Sequence, residues 1–378
     1  MNKNPLVRLS EHGQSVWLDN LARPMLQQGI LKKLIDEDGV TGVTSNPAIF
    51  KNAMTSGDAY DAQIRSLADQ GTAATGIYEA LAIEDIRGAA DILRPVYDRT
   101  DGADGFVSLE VSPHLARDTQ GTIDEAERLW KAVDKPNVLI KIPGTDEGTP
   151  AIEECLVRGI NINITLLFAI EAHRQVIEAY FRAMERRRDR GESLKNVASV
   201  ASFFLSRIDV KVDKMLDEMI RGGGDKGARA GKIRGRTAIA NAKLAYHLWK
   251  EIHAGDRWKK LQAAGARYQR PLWASTSTKD PSEPDVKYVE ALIGPHTVNT
   301  MPDETVDAFR DHGRVEDTIG RDVDGERQII DHLAALGIKM DQVTADLVEE
   351  GIDKFVKPFN HLMETLEGKR RALTGSGA

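Results

Sequence analysis

Ile160-Asn161-Ile162-Asn163-Ile164-Thr165 alternates apolar and polar side chains through six residues. An extended chain repeats its side-chain direction every two residues, so Asn161, Asn163 and Thr165 share one face and the isoleucines the other. A one-sided antiparallel sheet with a wet face gives the same pattern. In a parallel barrel helices cover the outside, and the polar face then looks inward. The flanking sequence decides between them. Short β-rich runs occur at Val16–Asp19, Gly42–Ser45, Gly105–Glu110, Val138–Ile142, Ile160–Thr165, Val197–Ser202, Pro271–Ser275 and Thr297–Thr300, eight in all. Amphipathic stretches such as Ile123–Val133, Leu167–Arg188 and Thr237–Ile252 lie between them, with apolar residues three and four apart. Strands alternating with helices imply parallel strands joined by crossovers, and eight such units predict an α/β fold, a (β/α)8 TIM barrel. The rival is a doubly wound open sheet, which carries a glycine-rich first turn. No GxGxxG follows a strand here and no GxxxxGK[ST] occurs.

The expected organisation is one barrel domain over residues 1–378, with its core at about 15–302 and a C-terminal helical closure at about 303–373. The intervals after the second and sixth strands exceed the ~30 residues of a minimal βαβ unit. Both hold helical patterns and read as extra helices on the barrel. The glycine-rich, basic segment Arg221–Arg236, RGGGDKGARAGKIRGR, reads as a mobile surface loop, either a solvated connection or an anion-binding loop. Arg186–Arg190, RRRDR, ends a helix, where cations suit the dipole, and is given no function. The tail after Val348 reads as a long closing helix to about Leu373.

Composition narrows the function. Among 378 residues, 51 Lys and Arg stand against 58 Asp and Glu, a net charge of −7. Without an overall positive field the chain is not expected to coat nucleic acid or bind membranes as a cation. The single cysteine, Cys155, allows no intrachain disulfide and no thiolate zinc site. No run approaches the ~18 apolar residues of a membrane span. The start, MNKNPLVRLSEHGQ, has no apolar signal core. A soluble, cytoplasmic protein is expected, as a monomer or a homodimer.

Chemistry is marked by polar residues where a packed barrel should be apolar. Val138-Leu139-Ile140-Lys141-Ile142 places one lysine inside an apolar run. A snorkelling lysine would look the same. Its company argues otherwise: Asp19 ends Val16-Trp17-Leu18, and Glu110 ends Phe106-Val107-Ser108-Leu109. Three ionisable groups thus fall at or near the C-terminal ends of different strands, the side where barrel enzymes react. A desolvated lysine can act as a neutral amine nucleophile towards a carbonyl, and a nearby carboxylate can move protons for carbinolamine formation and C–C cleavage. Schiff-base chemistry is the first reading. There is no HExxH, no His/Cys cluster, no EF-hand spacing and no GxSxG elbow, so metal and acyl-transfer mechanisms lack their residues. His114 and His296, near strand ends, read as solvated or structural.

At these residues the sequence resembles the transaldolase family. Gly42–Phe50, GVTSNPAIF, is similar to the family's first signature, and Val138–Thr145, VLIKIPGT, to its second, which holds the Schiff-base lysine. Asn161–Phe168, NINITLLF, and Ser199–Asp209, SVASFFLSRID, match further blocks. Tyr288–Pro302, YVEALIGPHTVNTMP, resembles the bacterial and cyanobacterial branch with longer chains. The resemblance implies a (β/α)8 enzyme of the non-oxidative pentose phosphate pathway. It moves a dihydroxyacetone unit from sedoheptulose 7-phosphate to glyceraldehyde 3-phosphate, giving erythrose 4-phosphate and fructose 6-phosphate, with no metal or organic cofactor. By resemblance Lys141 forms the imine and Asp19 takes the C4 hydroxyl proton. Glu110 and Thr165 hold the relay water. Asn46 and Asn163 bind the dihydroxyacetone hydroxyls, with Ser202 beside them in the substrate-binding set. Thr44 joins that substrate-binding set, although Thr44, Ser45 and Asn46 also suit a turn before a helix. Arg207 and Ser275 match the phosphate site. The family's better-known branch has an arginine two residues after that serine; here Ser277 stands there, and Lys279 is the nearest cation and the expected replacement. Two other functions stay open: an aldolase releasing free dihydroxyacetone, such as fructose-6-phosphate aldolase, and a catalytically silent phosphosugar-binding barrel. Phe204, where those aldolases carry Tyr, together with Glu110 favours transfer; Lys141, Asp19 and Glu110 together argue against a silent barrel.

Overall fold

Eight parallel strands close on themselves in chain order, β1 Gln14–Leu18, β2 Val40–Val43, β3 Phe106–Glu110, β4 Val138–Pro143, β5 Ile162–Leu167, β6 Ser199–Phe204, β7 Arg270–Ala274 and β8 Thr297–Met301. The structure, a computed structural model, describes residues 4–375. The pattern-based strands agree in number and order. Their edges move: β1 starts earlier, at Gln14, and β5 and β6 start later, at Ile162 and Ser199. Asn161 explains the last two. Its side chain donates to Pro136 O and Val138 O and accepts from Ala198 N, tying the strand ends together below the ladder. It is a clamp at the N-terminal rim and not part of the reacting face.

Register sets the site. Glu110 pairs with Lys141 across β3 and β4, Lys141 pairs with Asn163 across β4 and β5, and Pro143 pairs with Thr165. Neighbours in register point the same way, so the three polar positions Glu110, Lys141 and Asn163 stand side by side inside the barrel. Below them the interior is plugged. Trp17 lies flat where a Cβ on Gly42 would come within 2.5 Å of its ring, so only glycine fits at that position of β2. The Trp17 indole donates to Asp104, which also lies 3.5 Å from Arg270. With the bottom sealed, chemistry is confined to the top.

Helices fill the long intervals as expected. Pro47–Thr55, Asp61–Asp69 and Ala74–Arg99 lie between β2 and β3; Ser206–Gly222, Gly224–Gly231, Thr237–Ala254 and Asp256–Ala263 lie between β6 and β7. Arg221–Arg236 is therefore not a free loop. The chain turns at Gly223 and Gly224, both with positive φ, and runs into the eight-residue helix. Gly227 lets that helix sit on its predecessor, since a Cβ there would be 2.9 Å from Met219 O. Arg234 then pairs with Asp217 and Asp280, which fixes the far end. The arginines of Arg186–Arg190 also work locally: Arg186 reaches Glu153 and Glu154 on the preceding helix. Cys155 is buried in the helix Gly148–Val157, and burial pushes its thiol up to about 12, so it stays an unreactive thiol.

The last element is the helix Met340–Gly375. Its start precedes the expected one at Val348. It packs on the three helices between β2 and β3 and on Ser206–Gly222, burying Leu347, Phe355, Leu362 and Leu366. In doing so it crosses the C-terminal mouth of the barrel.

Candidate active site

Lys141 is 4% exposed, and its ammonium has little water left to it. Its Nζ donates to the Ser45 carbonyl at 3.1 Å and lies 3.5 Å from Glu110 Oε2. Glu110 is as deeply buried, and neither of its carboxylate oxygens has a hydrogen-bond partner. Burial pushes its carboxyl up to about 7, against the pull of the Lys141 charge. An acid poised near neutrality beside an amine is the arrangement that proton transfer to and from that amine needs.

Asp19 sits just past the end of β1, and its backbone N–H donates to Met301 O. Thr44 donates to Asp19 Oδ1 at 2.7 Å and shares a 2.7 Å hydroxyl contact with Thr300. Thr44 thus holds the carboxylate in place. Asn46 does two things. Its Oδ1 accepts from Ala48 N and Ile49 N, both at 3.0 Å, capping the helix Pro47–Thr55. The rest of the residue lines the mouth cavity. Asn163 donates to Ser108 Oγ at 3.0 Å and accepts from Ser202 Oγ at 2.7 Å, a chain across β3, β5 and β6. Thr165 is buried with its hydroxyl unpartnered. Three unpartnered oxygens, two of Glu110 and one of Thr165, are what a relay water would satisfy.

Arg207 follows β6 at the start of the helix Ser206–Gly222. Its guanidinium lies between two rings, 5.0 Å from Phe204 and 5.7 Å from Phe355. Its Nη1 is buried with no hydrogen-bond partner. Desolvation lowers its pKa, a cost that a bound anion would offset. Ser275 has φ +58°, and its hydroxyl meets Ser206 Oγ at 2.7 Å. A left-handed non-glycine residue is a strained one, and here it aims the serine at the mouth.

Asp19, Thr44, Asn46, Lys141, Ser202, Arg207 and Ser275 line one cavity of about 80 Å³. Glu110, Asn163 and Thr165 do not line it: Glu110 and Asn163 flank Lys141 in the ladder, Glu110 opens on a separate cavity beside Tyr78 and Phe359, and Thr165 pairs with Pro143. Lys279 does not line it either. The turn at Ser275 carries the loop outward to Asp280, and Lys279 donates to Ser277 Oγ while lining a different cavity beside Asp213, Asp217 and Arg234. Sequence reading missed Ala274, Thr300 and Phe355 among the lining residues, and took Phe204 only as a mark of transfer. Phe355 had only an apolar position in a helix as its signal. Thr300 was readable as a polar end to β8.

Among the described residues no group of three or more His, Cys, Asp or Glu is placed to hold a metal ion, and no helix is long and apolar enough to cross a membrane. The arrangement offers a buried amine, a carboxyl poised near neutrality, a second carboxylate at the rim and a buried cation at the mouth.

Comparison with known proteins agrees with this chemistry. A sequence model of the family described as "Transaldolase/Fructose-6-phosphate aldolase" matches residues 16–366. A transaldolase of Trichodesmium erythraeum is 46% identical over 378 residues, covering 99% of this chain and all of that protein. A transaldolase of Thermobifida fusca is 47% identical over 372 residues, covering 98% and 100%. One from Mycobacterium tuberculosis is 46% identical over 366 residues, covering 96% of each.

Proposed function

The chain belongs to the transaldolase/fructose-6-phosphate aldolase family, and we propose from that premise how its residues divide the work of a transaldolase. It is a transferase acting on phosphorylated sugars. The donor is sedoheptulose 7-phosphate and the acceptor glyceraldehyde 3-phosphate, with erythrose 4-phosphate and fructose 6-phosphate as products. The work is done in the cytoplasm.

Lys141 gives its proton to Glu110, directly or through a water shared with Thr165, and the free amine adds to the donor's C2 carbonyl. Glu110 returns the proton to the carbinolamine oxygen, which leaves as water, and a protonated imine remains. Asp19 then takes the C4 hydroxyl proton. The C3–C4 bond breaks, its electrons flow into the imine, and the first aldose departs. Asn46, Asn163 and Ser202 hold the dihydroxyacetone hydroxyls while Thr44 holds Asp19. Arg207 and Ser275 hold the phosphate, the guanidinium by its planar fork. The acceptor aldehyde reverses the sequence, and water returns Lys141 to its amine.

The observation that carries the reading is the buried Lys141–Glu110 pair. Borohydride with fructose 6-phosphate is expected to fix a covalent adduct on Lys141. Peptide mapping that places it on another lysine, or finds none, overturns the assignment. Assaying donor cleavage with and without an acceptor aldehyde separates transfer from aldolase activity and from no activity.

A further inference from the structure

The cavity at Lys141 is about 80 Å³. Sites for ligands of sugar-phosphate size usually run to ~300 Å³ or more. One of its walls is a ring from the far end of the chain. Phe355, on the helix Met340–Gly375, lies 5.5 Å from Lys141 Nζ and 5.7 Å from the Arg207 guanidinium, and it is itself 5% exposed. It therefore spans from the imine end of the site to the phosphate end. The helix is seated closely there: a Cβ on Gly351 would come within 2.9 Å of Leu166 and 3.5 Å of Arg207 Nη1. Four residues, close to one helical turn, separate Gly351 from Phe355, so the close approach at one sets the depth of the other. Pro358, inside the same helix, removes a backbone donor just beyond. A ring in this place covers the position of the intermediate on Lys141, and its displacement would widen the way in.

A transferase and an aldolase differ in what happens after cleavage. In transfer, the enamine carbon bonds to the acceptor's aldehyde carbon, and the aldehyde oxygen takes a proton. Water then adds to the new imine carbon, the C–N bond breaks, and the product ketose leaves. In the competing leak, the enamine carbon takes a proton instead. Water adds to that imine, the C–N bond breaks, and free dihydroxyacetone leaves with Lys141 again an amine. Both the proton and the water of the leak must reach the intermediate between the two aldoses. A closed apolar cover suppresses such side reactions.

Resting on the proposed transaldolase reading, we propose that Phe355 is a specificity-determining residue whose bulk keeps water from the dihydroxyacetone intermediate, so that the enzyme transfers the unit and does not release it. It makes no bond to substrate and moves no proton. Its effect is on partition and not on cleavage.

The test uses the full chain with fructose 6-phosphate and saturating erythrose 4-phosphate. Glyceraldehyde 3-phosphate counts cleavage, sedoheptulose 7-phosphate counts transfer, and free dihydroxyacetone counts the leak. Phe355→Ala is expected to raise the leaked share about tenfold, the equivalent of one decade in relative rate, with borohydride trapping on Lys141 at wild-type stoichiometry. Phe355→Leu, which keeps bulk but loses the π face, is expected to stay within about twofold of wild type, and Phe355→Val to fall between. If Phe355→Ala does not fold, Phe355→Val carries the test. An unchanged leaked share with cleavage and transfer falling together overturns the proposal, and so does Phe355→Leu leaking as much as the smaller variants. A wild-type chain that makes neither sedoheptulose 7-phosphate nor a Lys141 adduct removes the transaldolase reading instead.

Discussion

Glu110 has no hydrogen-bond donor to settle its charge; the Lys141 ammonium lies 3.5 Å away, and the charges of Asp19 and Arg207 act on it as well. Burial outweighs the cation and holds the carboxyl up at about 7. The sign of the pH response follows. Below that value Glu110 keeps its own proton and cannot accept one from Lys141, so kcat/KM for the donor ketose falls as pH is lowered, with a midpoint near 7. Glu110→Gln is expected to slow turnover by roughly 10²–10⁴ and to remove this acid limb. The same limb persisting in the variant assigns it elsewhere. Lys141, Asp19 and Glu110 were legible in the sequence because an ionisable residue in or at the end of an apolar strand is costly to keep without a use. Thr44 was only half legible: its place in the turn could be read, but its bond to Asp19 joins two strands and leaves no mark in either.

Elements decide which candidates meet. The turn after β2 places Asn46 at the head of a helix and on the wall of the mouth cavity, where its oxygen has structural work and its amide nitrogen is proposed to serve the substrate. The two roles separate by substitution. Asn46→Asp keeps the cap and should hold stability near wild type while lowering kcat, because the amide donor is gone. Asn46→Ala should cost ~1 kcal/mol in addition. Urea denaturation beside steady-state kinetics reads both, and equal stability loss in the two variants contradicts the division. The loop after β7 works the other way. Lys279 is close in sequence to Ser275, yet the positive φ of Ser275 and the Arg234–Asp280 pair turn the loop away from the mouth. Lys279→Ala is therefore expected to leave KM for phosphorylated ketoses within about twofold. Arg207→Ala should raise it by one to two decades, the ~1.5–3 kcal/mol of a charge-assisted hydrogen bond. A large KM effect from Lys279 returns it to the phosphate. Strand order and crossover helices were readable from periodicity, but a loop's exit angle depends on a single dihedral that composition does not specify. The same limit hid the helix within Arg221–Arg236, whose glycines signal turns equally well when they serve as close-packing surfaces.

At the scale of the whole molecule, the barrel's mouth is finished by a helix from the far end of the chain. Its apolar periodicity was legible; where it lands was not, because nothing near Lys141 in sequence refers to Phe355. Two kinds of contact seat it. Ion pairs flank it: Lys211 with Asp346 and Glu350, Arg117 with Glu349, and Lys369 with Asp61. Below them Leu347, Leu362 and Leu366 are buried. Of the acidic partners Glu349 and Glu350 are exposed and Asp346 and Asp61 half-buried, and such surface pairs are individually worth at most ~1 kcal/mol and weaken with salt. A buried leucine cut back to alanine typically costs ~2–5 kcal/mol, since the lost transfer energy is joined by the cavity left behind. The helix should then be held by its apolar face, with the charges setting its rotation. Leu362→Ala is expected to lower stability in urea by that larger amount, whereas Lys211→Met loses at most ~1 kcal/mol and is less sensitive to added salt than wild type. Because Phe355 rides on this helix, Leu362→Ala should also raise the leak of dihydroxyacetone while Lys211→Met does not. If the ranking is reversed, with Lys211→Met the more destabilising and the wild-type helix loosened by high salt, then charge and not burial closes the barrel.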